Sequence, residues 1–293
     1  TMKPVPPSKA PSLQVGWGNG KLRFPGSKRT PARWARIEEG LGDTNASEIM
    51  RMLTNNWGLQ PPCAIISMMA PSTIERTIPG QAQLHEAFKD GLLKAAEKTN
   101  AWVFTRGLDE GVTSLVGKAL ADADPDRVPC IGIAPWGKVA EREGLLVTKR
   151  GQRYLYGSSC KAHSNPSKMS FGTAALTYQG RDDARLDPNH SHFLLVNDGK
   201  DTLSAGMRLR RQLEKLVCEQ DLSGDGIRTP IVHVVFGGES DVSMLEAVVE
   251  VLQHQDTDLE SRGGEPVVVI ADSGGVAADI NSYFQGMDVR GVG

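Results

Sequence analysis

The sequence lacks several features that would assign it to a class at once. No apolar run approaches the roughly 18–20 residues that a membrane-spanning helix needs, and the longest runs are only 231–236 and 266–271. The 33 basic and 35 acidic residues give a net charge of −2, so no electrostatic excess favours nucleic acid or an acidic membrane surface. We therefore expect a chain that contacts neither nucleic acid nor membrane by itself.

Cysteine is also scarce. The four cysteines are far apart and form no C-x-x-C pair: Cys63, Cys130, Cys160 and Cys218. Such spacing predicts reduced thiols rather than a zinc site or a disulfide framework. Reduced thiols are typical of an intracellular protein, so a cytoplasmic location is expected.

The composition divides the chain into two parts. Residues 1–36 contain eight basic residues, six prolines and no acidic residue. Such a segment buries little apolar surface and interrupts helices, so residues 1–47 are expected to form an extended basic arm. Trp17 and Trp34 leave open that the arm docks on a packed surface. Residues 48–293 are expected to form a single domain.

From Glu48 onward, short apolar runs alternate with helical patterns. Because the apolar runs are continuous, they predict an α/β, Rossmann-like, mostly parallel sheet with helices on both faces. Residues 149–189 are polar and aperiodic, and a long loop is expected there. The predicted strands are 63–69, 102–105, 130–134, 193–196, 231–236 and 267–270, and the main predicted helices are 84–96, 111–122, 209–217, 245–252 and 277–284.

Glycine follows five of the predicted strands, where the chain leaves the sheet. In parallel sheets the ligand crevice lies beyond these carboxyl ends, and glycine lets backbone N–H groups approach an anion. The exits therefore predict binding of a phosphate-bearing nucleotide, although βα turns also use glycine without any ligand. The candidate residues are Thr105, Arg106, Gly107, Gly111, Trp136, Gly137, Asp198, Gly199, Gly237, Gly238, Glu239, Ser240, Asp241, Ser273 and Gly274.

Four arginines near the exits are candidates to hold a diphosphate. Arg142 follows the 136–137 exit, and Arg208, Arg210 and Arg211 lie on the helix after the 198–199 exit. A guanidinium group matches phosphate oxygens in pairs, whereas the alternative for each arginine is a solvated surface charge. Trp136 either stacks on an adenine or packs beneath its loop, and packing is favoured.

Other ligand motifs are not supported. The exits match neither G-x-G-x-x-G nor G-x-x-x-x-G-K-[ST], so ordinary NAD binding and a P-loop are not predicted. His190 and His192 are only two residues apart, but no third ligand stands nearby in the sequence. This pair favours a structural role, and no metal site is expected.

Six motifs in a fixed order carry a family resemblance. They are 131–137, 142–145, 164–168, 189–199, 209–215 and 267–274. Together they resemble the N-terminal region of melastatin-type transient receptor potential (TRPM) channels, over about residues 48–285. That region belongs to the SLOG superfamily of Rossmann-like nucleotide-sensing domains.

The resemblance implies a cytoplasmic regulatory domain of a homotetrameric cation channel, which binds ADP-ribose or a related adenine nucleotide and needs no other cofactor. It implies that Arg142 contacts the diphosphate, and that Arg210, or the arginine in the adjacent register, matches the family's helix arginine. It further implies ligand loops at Gly237, Gly238, Ser240 and Asp241, and at Ser273 and Gly274.

Two positions depart from the family pattern. Met69-Ala70-Pro71 stands where the family has Thr/His-Gly-Gly, and Arg106 replaces a glycine of the next loop. Proline removes an N–H donor and alanine blocks a close approach, so a phosphate donor is expected to be missing there. Arg106 either supplies a charge in exchange or fills the cleft. The identity of the nucleotide therefore stays open.

Two other functions stay open beside nucleotide sensing. Some SLOG relatives are phosphoribohydrolases, but Met244 stands where their glycine-rich motif has its glutamate. We therefore expect a non-catalytic protein. The other alternative is a domain that only assembles subunits. The end of the sequence just after the last predicted helix favours a channel fragment over a free-standing SLOG protein.

Overall fold

The structure is a computed structural model of the 293-residue chain. It describes residues 18–27, 29–38, 44–69, 81–147, 153–157, 183–197, 199, 203–219, 228–237 and 265–288. The predicted helix 245–252 lies outside these residues. No helix within the described ranges is long and apolar enough to span a bilayer.

Nine strands of the described chain form one sheet in the order β6-β1-β2-β7-β5-β4-β3-β8-β9. Strands β2 to β5 and β7 to β9 run parallel, whereas β1 is antiparallel to β2 and parallel to β6. The predicted α/β, mostly parallel fold is confirmed. The strands are β1 Asn19–Arg23, β2 Ala32–Glu38, β3 Ile65–Met69, β4 Trp102–Thr105, β5 Cys130–Pro135, β6 Arg153–Leu155, β7 His192–Asn197, β8 Ile231–Phe236 and β9 Val267–Ile270.

Helices cover both faces of the sheet. Successive residues of a strand face opposite sides, so Val103 packs with α2 and α3 on one face while Phe104 packs with α1 and α5 on the other. Helix α6 packs against Val235 on the α5 face. Both faces of the central strands therefore need apolar residues, which explains their continuous apolar runs. The helices are α1 Thr44–Arg51, α2 Gln81–Thr99, α3 Gly111–Ala119, α4 Arg142–Val147, α5 Leu203–Glu219 and α6 Gly275–Asp288.

The expected basic arm is partly wrong. Strands β1 and β2 belong to the sheet, and β2 pairs with β7 from Arg33 to Glu38. Leu22 and Trp34 are buried in a core shared with Phe193. The basic residues lie between apolar ones that face inward, so the segment buries more apolar surface than its composition indicated. Residues 1–17 lie outside the described chain.

The expected loop 149–189 is also partly wrong. Residues 153–155 form β6, and residues 183–190 run from the carboxyl edge of the sheet to its amino edge. In this crossover segment (183–190), Leu186 and Asp187 are buried. Its backbone bonds to Lys138 and Ala140 after β5 and to Gly107 after β4, so polar groups here are satisfied by distant partners.

The order of the strands reverses between β3 and β8. From β3 the chain proceeds to β4, β5 and β7 in one direction across the sheet, and then returns to add β8 and β9 on the opposite side of β3. In open α/β sheets the ligand crevice lies outside the carboxyl ends of the strands at such a reversal. The switch point of this fold is therefore the carboxyl edge between β3 and β8.

A network of charges lies on the α5 face near the amino end of β9. Glu265 accepts hydrogen bonds from His233 at 2.6 Å and from Arg211 at 3.1 Å. The His233 hydrogen bond lowers the pKa of Glu265 to about 2, with help from Arg211 and against the effect of burial. The network therefore ties α5 to the residue that leads into β9.

We predict that replacing Gly132 by alanine destabilises the fold by about 1–3 kcal/mol, because an added Cβ overpacks the interior. That Cβ would lie 3.1 Å from the Phe193 ring and 3.2 Å from the Gly107 nitrogen. Urea unfolding measures the loss. Gly91→Ala on α2 is the matched control, since no atom of the described chain lies within 4 Å of its added Cβ, and it should be neutral or stabilising. Equal unfolding midpoints for Gly132→Ala and the wild type would contradict this packing.

We also predict a pH dependence for Glu265→Gln. The folded pKa of Glu265, about 2, is below its ordinary value of 4.5, so its contribution to stability is present above about pH 4.5 and is lost as the pH falls towards 2. The unfolding midpoint of Glu265→Gln should therefore be below that of the wild type at pH 6, and the difference should shrink between pH 4.5 and 3. A difference that stays constant over this range would show that the carboxylate is not stabilised in this way.

Candidate functional site

Arg210 lies at the carboxyl end of β3, on the side of the switch point. Helix α5 brings it there, and its guanidinium donates from Nη1 to the Met68 carbonyl at 2.7 Å, from Nε to Glu214 Oε1 at 2.8 Å, and from Nη2 to Ser67 Oγ. The Ser67 hydroxyl also donates to Glu214. Ser67 and Glu214 are 1% and 0% exposed, so charge-assisted bonds to buried groups fix the orientation of this arginine.

Arg211, the neighbouring candidate, points elsewhere. Its Nη1 bonds to Glu265 near the amino end of β9 and lies 3.6 Å from Glu214. Adjacent helical residues point about 100° apart, so only one of the two arginines can face the carboxyl end of β3. The structure assigns that place to Arg210.

The exit from β4 forms a tight turn next to β3. Gly107 has φ +74° and donates its N–H to Thr105 Oγ at 2.9 Å. Helix α3 begins at Gly111, and the side chain of the preceding Glu110 does not cap it. Burial raises the pKa of Glu110, while the charge of Arg106 opposes that rise. The first N–H groups of α3 and the Arg106 side chain thus belong to the same edge of the sheet.

The exits from β8 and β9 pack directly on each other. The Gly237 N–H donates to Ser273 Oγ at 2.7 Å, and a Cβ at Gly237 would lie 2.9 Å from the Ser273 carbonyl oxygen and closer still to that of Gly274. Gly274 has φ +77°. These two glycines therefore allow a close contact between the turns. Gly238, Glu239, Ser240 and Asp241 lie outside the described residues.

At the exit from β5, the Trp136 ring and the Arg142 guanidinium already have partners within the domain. Trp136 is 7% exposed, stacks on Trp34 with ring centroids 6.5 Å apart, and has the Arg36 guanidinium 4.8 Å from its ring centre. Arg142 donates to the Gly137 carbonyl at 2.9 Å and to Asp183 at 3.0 Å. This geometry places Trp136 in a packing role and joins Arg142 to the crossover segment.

The exit from β7 is described only at Gly199. It has φ +69°, and no atom of the described residues lies within 4 Å of a Cβ added there. The other candidate of this exit, Asp198, lies outside the described residues. This exit therefore adds no geometry to the site.

The two histidines before and within β7 occupy different environments. His190 lies between Asp187 and Thr105, and although burial lowers its pKa, the Cys130 sulfur and the Asp187 carboxylate raise it to about 10. His192 packs against Trp57, and burial, with Arg33 nearby, lowers its pKa to about 3. They do not act as a pair, and among the described residues no three His, Cys, Asp or Glu side chains could share a metal ion.

Sequence reasoning missed Ser67 and Glu214, which hold Arg210. Two signals point to them. Ser67 is a polar residue inside the apolar run 63–69, and Glu214 lies four residues after Arg210, beside Leu213 on a helix that packs on the sheet. A charged pair at this spacing shares one helical face.

Three relatives show what the chain is similar to. It is 30% identical over 267 residues to transient receptor potential cation channel subfamily M member 2 of Mus musculus, covering 88% of this chain and 16% of that protein. It is 34% identical over 251 residues to subfamily M member 1 of the same species, covering 82% and 13%. It is 32% identical over 285 residues to the Drosophila melanogaster channel trpm, covering 94% and 12%.

The chain thus spans 12–16% of the length of these relatives. The sequence profile of the LSDAT_euk family, described as SLOG in TRPM, matches residues 32–290. That match includes β2, which pairs with β7 in the sheet, and it reaches past α6. The chain therefore belongs to the LSDAT_euk family, the SLOG domain found in TRPM proteins.

Proposed function

We propose that this chain is a cytoplasmic nucleotide-sensing domain of a homotetrameric TRPM-type cation channel, and that its ligand is ADP-ribose or a related adenine nucleotide. The relatives are named as cation channels, and the family profile covers nearly the whole chain. The proposed site is the carboxyl edge between β3 and β8.

The arrangement of Arg210 carries this proposal. Its three described hydrogen bonds use one N–H on each guanidinium nitrogen, and Nη1 and Nη2 each carry a second N–H. A guanidinium held in one orientation at the switch point presents these donors in the fork that matches a diphosphate. Because Glu214 and Ser67 already fix the side chain, little conformational entropy is lost when the ligand binds.

The exit from β4 supports the same ligand class. This exit carries Arg106 and leads into the start of α3, where N–H groups and the helix dipole favour an anion. Strand β4 neighbours β3, so both lie on one side of the crevice. Arg142 is bonded to Asp183, and it contacts the diphosphate in this proposal only after Asp183 releases it.

We do not assign catalysis to this site. Glu214, its buried carboxylate, is already paired with Arg210 and Arg211. A carboxylate held in this way is poorly placed to activate water or to stabilise an oxocarbenium ion. Met244, which replaces the catalytic glutamate of the phosphoribohydrolase motif, lies outside the described residues.

A purely structural role in subunit assembly is the second candidate. It is favoured by exits whose polar and aromatic groups already have partners within the domain. Gly237 bonds to Ser273, Arg142 bonds to Asp183, and Trp136 packs on Trp34. Such exits need no ligand. A binding measurement separates this role from the sensor.

We predict that Arg210→Gln weakens ADP-ribose binding at least about tenfold, since a hydrogen bond to a charged group contributes about 1.5–3 kcal/mol. Isothermal titration calorimetry with ADP-ribose, AMP and ATP measures the effect. Arg208→Gln is the matched control, because Arg208 is exposed on the same helix, and its affinity should stay within about twofold of the wild type.

The same variant affects folding, so a second variant is needed. Arg210→Gln leaves the buried Glu214 carboxylate without its main partner, which costs about 3–5 kcal/mol. The double variant Arg210→Gln/Glu214→Gln should recover most of the unfolding midpoint without recovering ADP-ribose binding. If the wild-type chain binds none of the three nucleotides at millimolar concentration, the assembly role replaces the sensor.

A further inference from the structure

A chain of buried polar groups lies beneath the exit of β4. Thr105 Oγ is 2.6 Å from His190 Nε2, and His190 Nδ1 is 2.9 Å from Asp187 Oδ1. The three residues are 1%, 3% and 0% exposed. The Thr105–His190 contact joins the last residue of β4 to the crossover segment, and the His190–Asp187 contact lies within that segment.

The two ends of this chain meet at one glycine. The Gly107 N–H donates to Thr105 Oγ at 2.9 Å, and the Gly107 carbonyl accepts the Asp187 N–H at 3.0 Å. Gly107 has φ +74°, and a Cβ there would lie 2.7 Å from the Gly132 Cα. The network therefore fixes both backbone groups of the residue at which the turn changes direction.

Burying the Asp187 carboxylate costs free energy, and the neighbouring residues accommodate it with hydrogen bonds and space. Its Oδ1 accepts from His190 and from the Asn189 N–H, while its Oδ2 is buried and has no hydrogen-bond donor among the described residues. Burial raises the pKa of Asp109, and the nearby charge of Asp187 adds to the rise. Gly117 of α3 leaves the space, because a Cβ there would collide with the Asp187 carboxylate.

The order hydroxyl, imidazole, carboxylate is also that of a hydrolytic triad, but the surroundings exclude that use. Thr105 is enclosed, and its oxygen already accepts the Gly107 N–H. A nucleophile has to be within reach of its substrate. The arrangement therefore acts on the turn and not on a bound molecule.

We infer that Thr105, His190 and Asp187 are positioning residues that hold the Arg106–Gly107 turn in the shape that the nucleotide crevice requires. This inference rests on the function proposed above. Apolar side chains of similar size would fill the same space at a lower desolvation cost. Unlike apolar side chains, Thr105, His190 and Asp187 fix the orientation of the Gly107 N–H and carbonyl groups. They thereby also fix the Arg106 backbone and the start of α3.

Substitution of Thr105 tests this directly. Thr105→Val keeps the volume and removes the hydroxyl, and Thr105→Ser restores the hydroxyl. Hydrogen–deuterium exchange of a peptide that covers residues 105–111 measures the turn, and calorimetry with ADP-ribose measures binding. We expect Thr105→Val to exchange at least tenfold faster at the Gly107 amide and to bind ADP-ribose at least fivefold more weakly, while Thr105→Ser stays within twofold of the wild type in both.

His190→Leu gives a second readout, with His192→Leu as its matched control. Both remove a buried histidine from the same part of the chain, but His192 has no described contact with Thr105. His190→Leu should reproduce the faster exchange of the turn, and His192→Leu should not, even at equal unfolding midpoints.

Hydrogen–deuterium exchange and ADP-ribose binding together separate this inference from the proposed function on which it rests. If the wild type binds no ADP-ribose, the proposed function fails. Hydrogen–deuterium exchange alone then decides whether the Thr105–His190–Asp187 network positions the turn. Unchanged exchange in folded Thr105→Val and His190→Leu would overturn the inference, whatever the binding result. Faster exchange with unchanged ADP-ribose affinity would also overturn it, because the turn would then be irrelevant to the crevice.

Discussion

A carboxylate buried beneath the carboxyl edge of the sheet is the constraint on which the candidate site depends. Glu214 is completely enclosed, and an enclosed carboxylate is strongly unfavourable unless charged and polar partners surround it. Arg210, Arg211 and Ser67 supply those partners from α5 and β3. The need to neutralise Glu214 thus places a guanidinium against the carboxyl half of β3, beside the reversal of the strand order.

The rest of the edge is organised by the crossover segment. Residues 183–190 bond to the exits of both β4 and β5, and Asp183 holds Arg142 while Asp187 holds Gly107 and His190. The exits of β4 and β5 are therefore connected to each other rather than separate loops. Along this edge of the described sheet most polar groups bond to each other, and Arg210 and the start of α3 are the features most suited to an anion. A binding measurement decides between the proposed sensor and an assembly domain that only packs.

The central strands could be predicted from the sequence because their apolar runs report burial on both faces, as for 102–105 and 231–236. Strands β1, β2 and β6 could not. In β2, apolar residues such as Trp34 and Ile37 are interspersed with charged ones, and the basic composition hid this pattern. The crossover segment was missed because its polar residues are satisfied by partners far away in sequence. Sequence spacing placed Arg210 and Arg211 together, and only the packing of α5 separates their directions.

The most direct test is an experimental structure of the chain with ADP-ribose bound. This account predicts that the diphosphate lies between the carboxyl ends of β3 and β8, with phosphate oxygens within about 3 Å of the Arg210 guanidinium, the ordinary length of a charge-assisted hydrogen bond. A saturating ligand found at another place on the domain, or an Arg210 that touches only Glu214, Ser67 and Met68 while the ligand is bound, would contradict it.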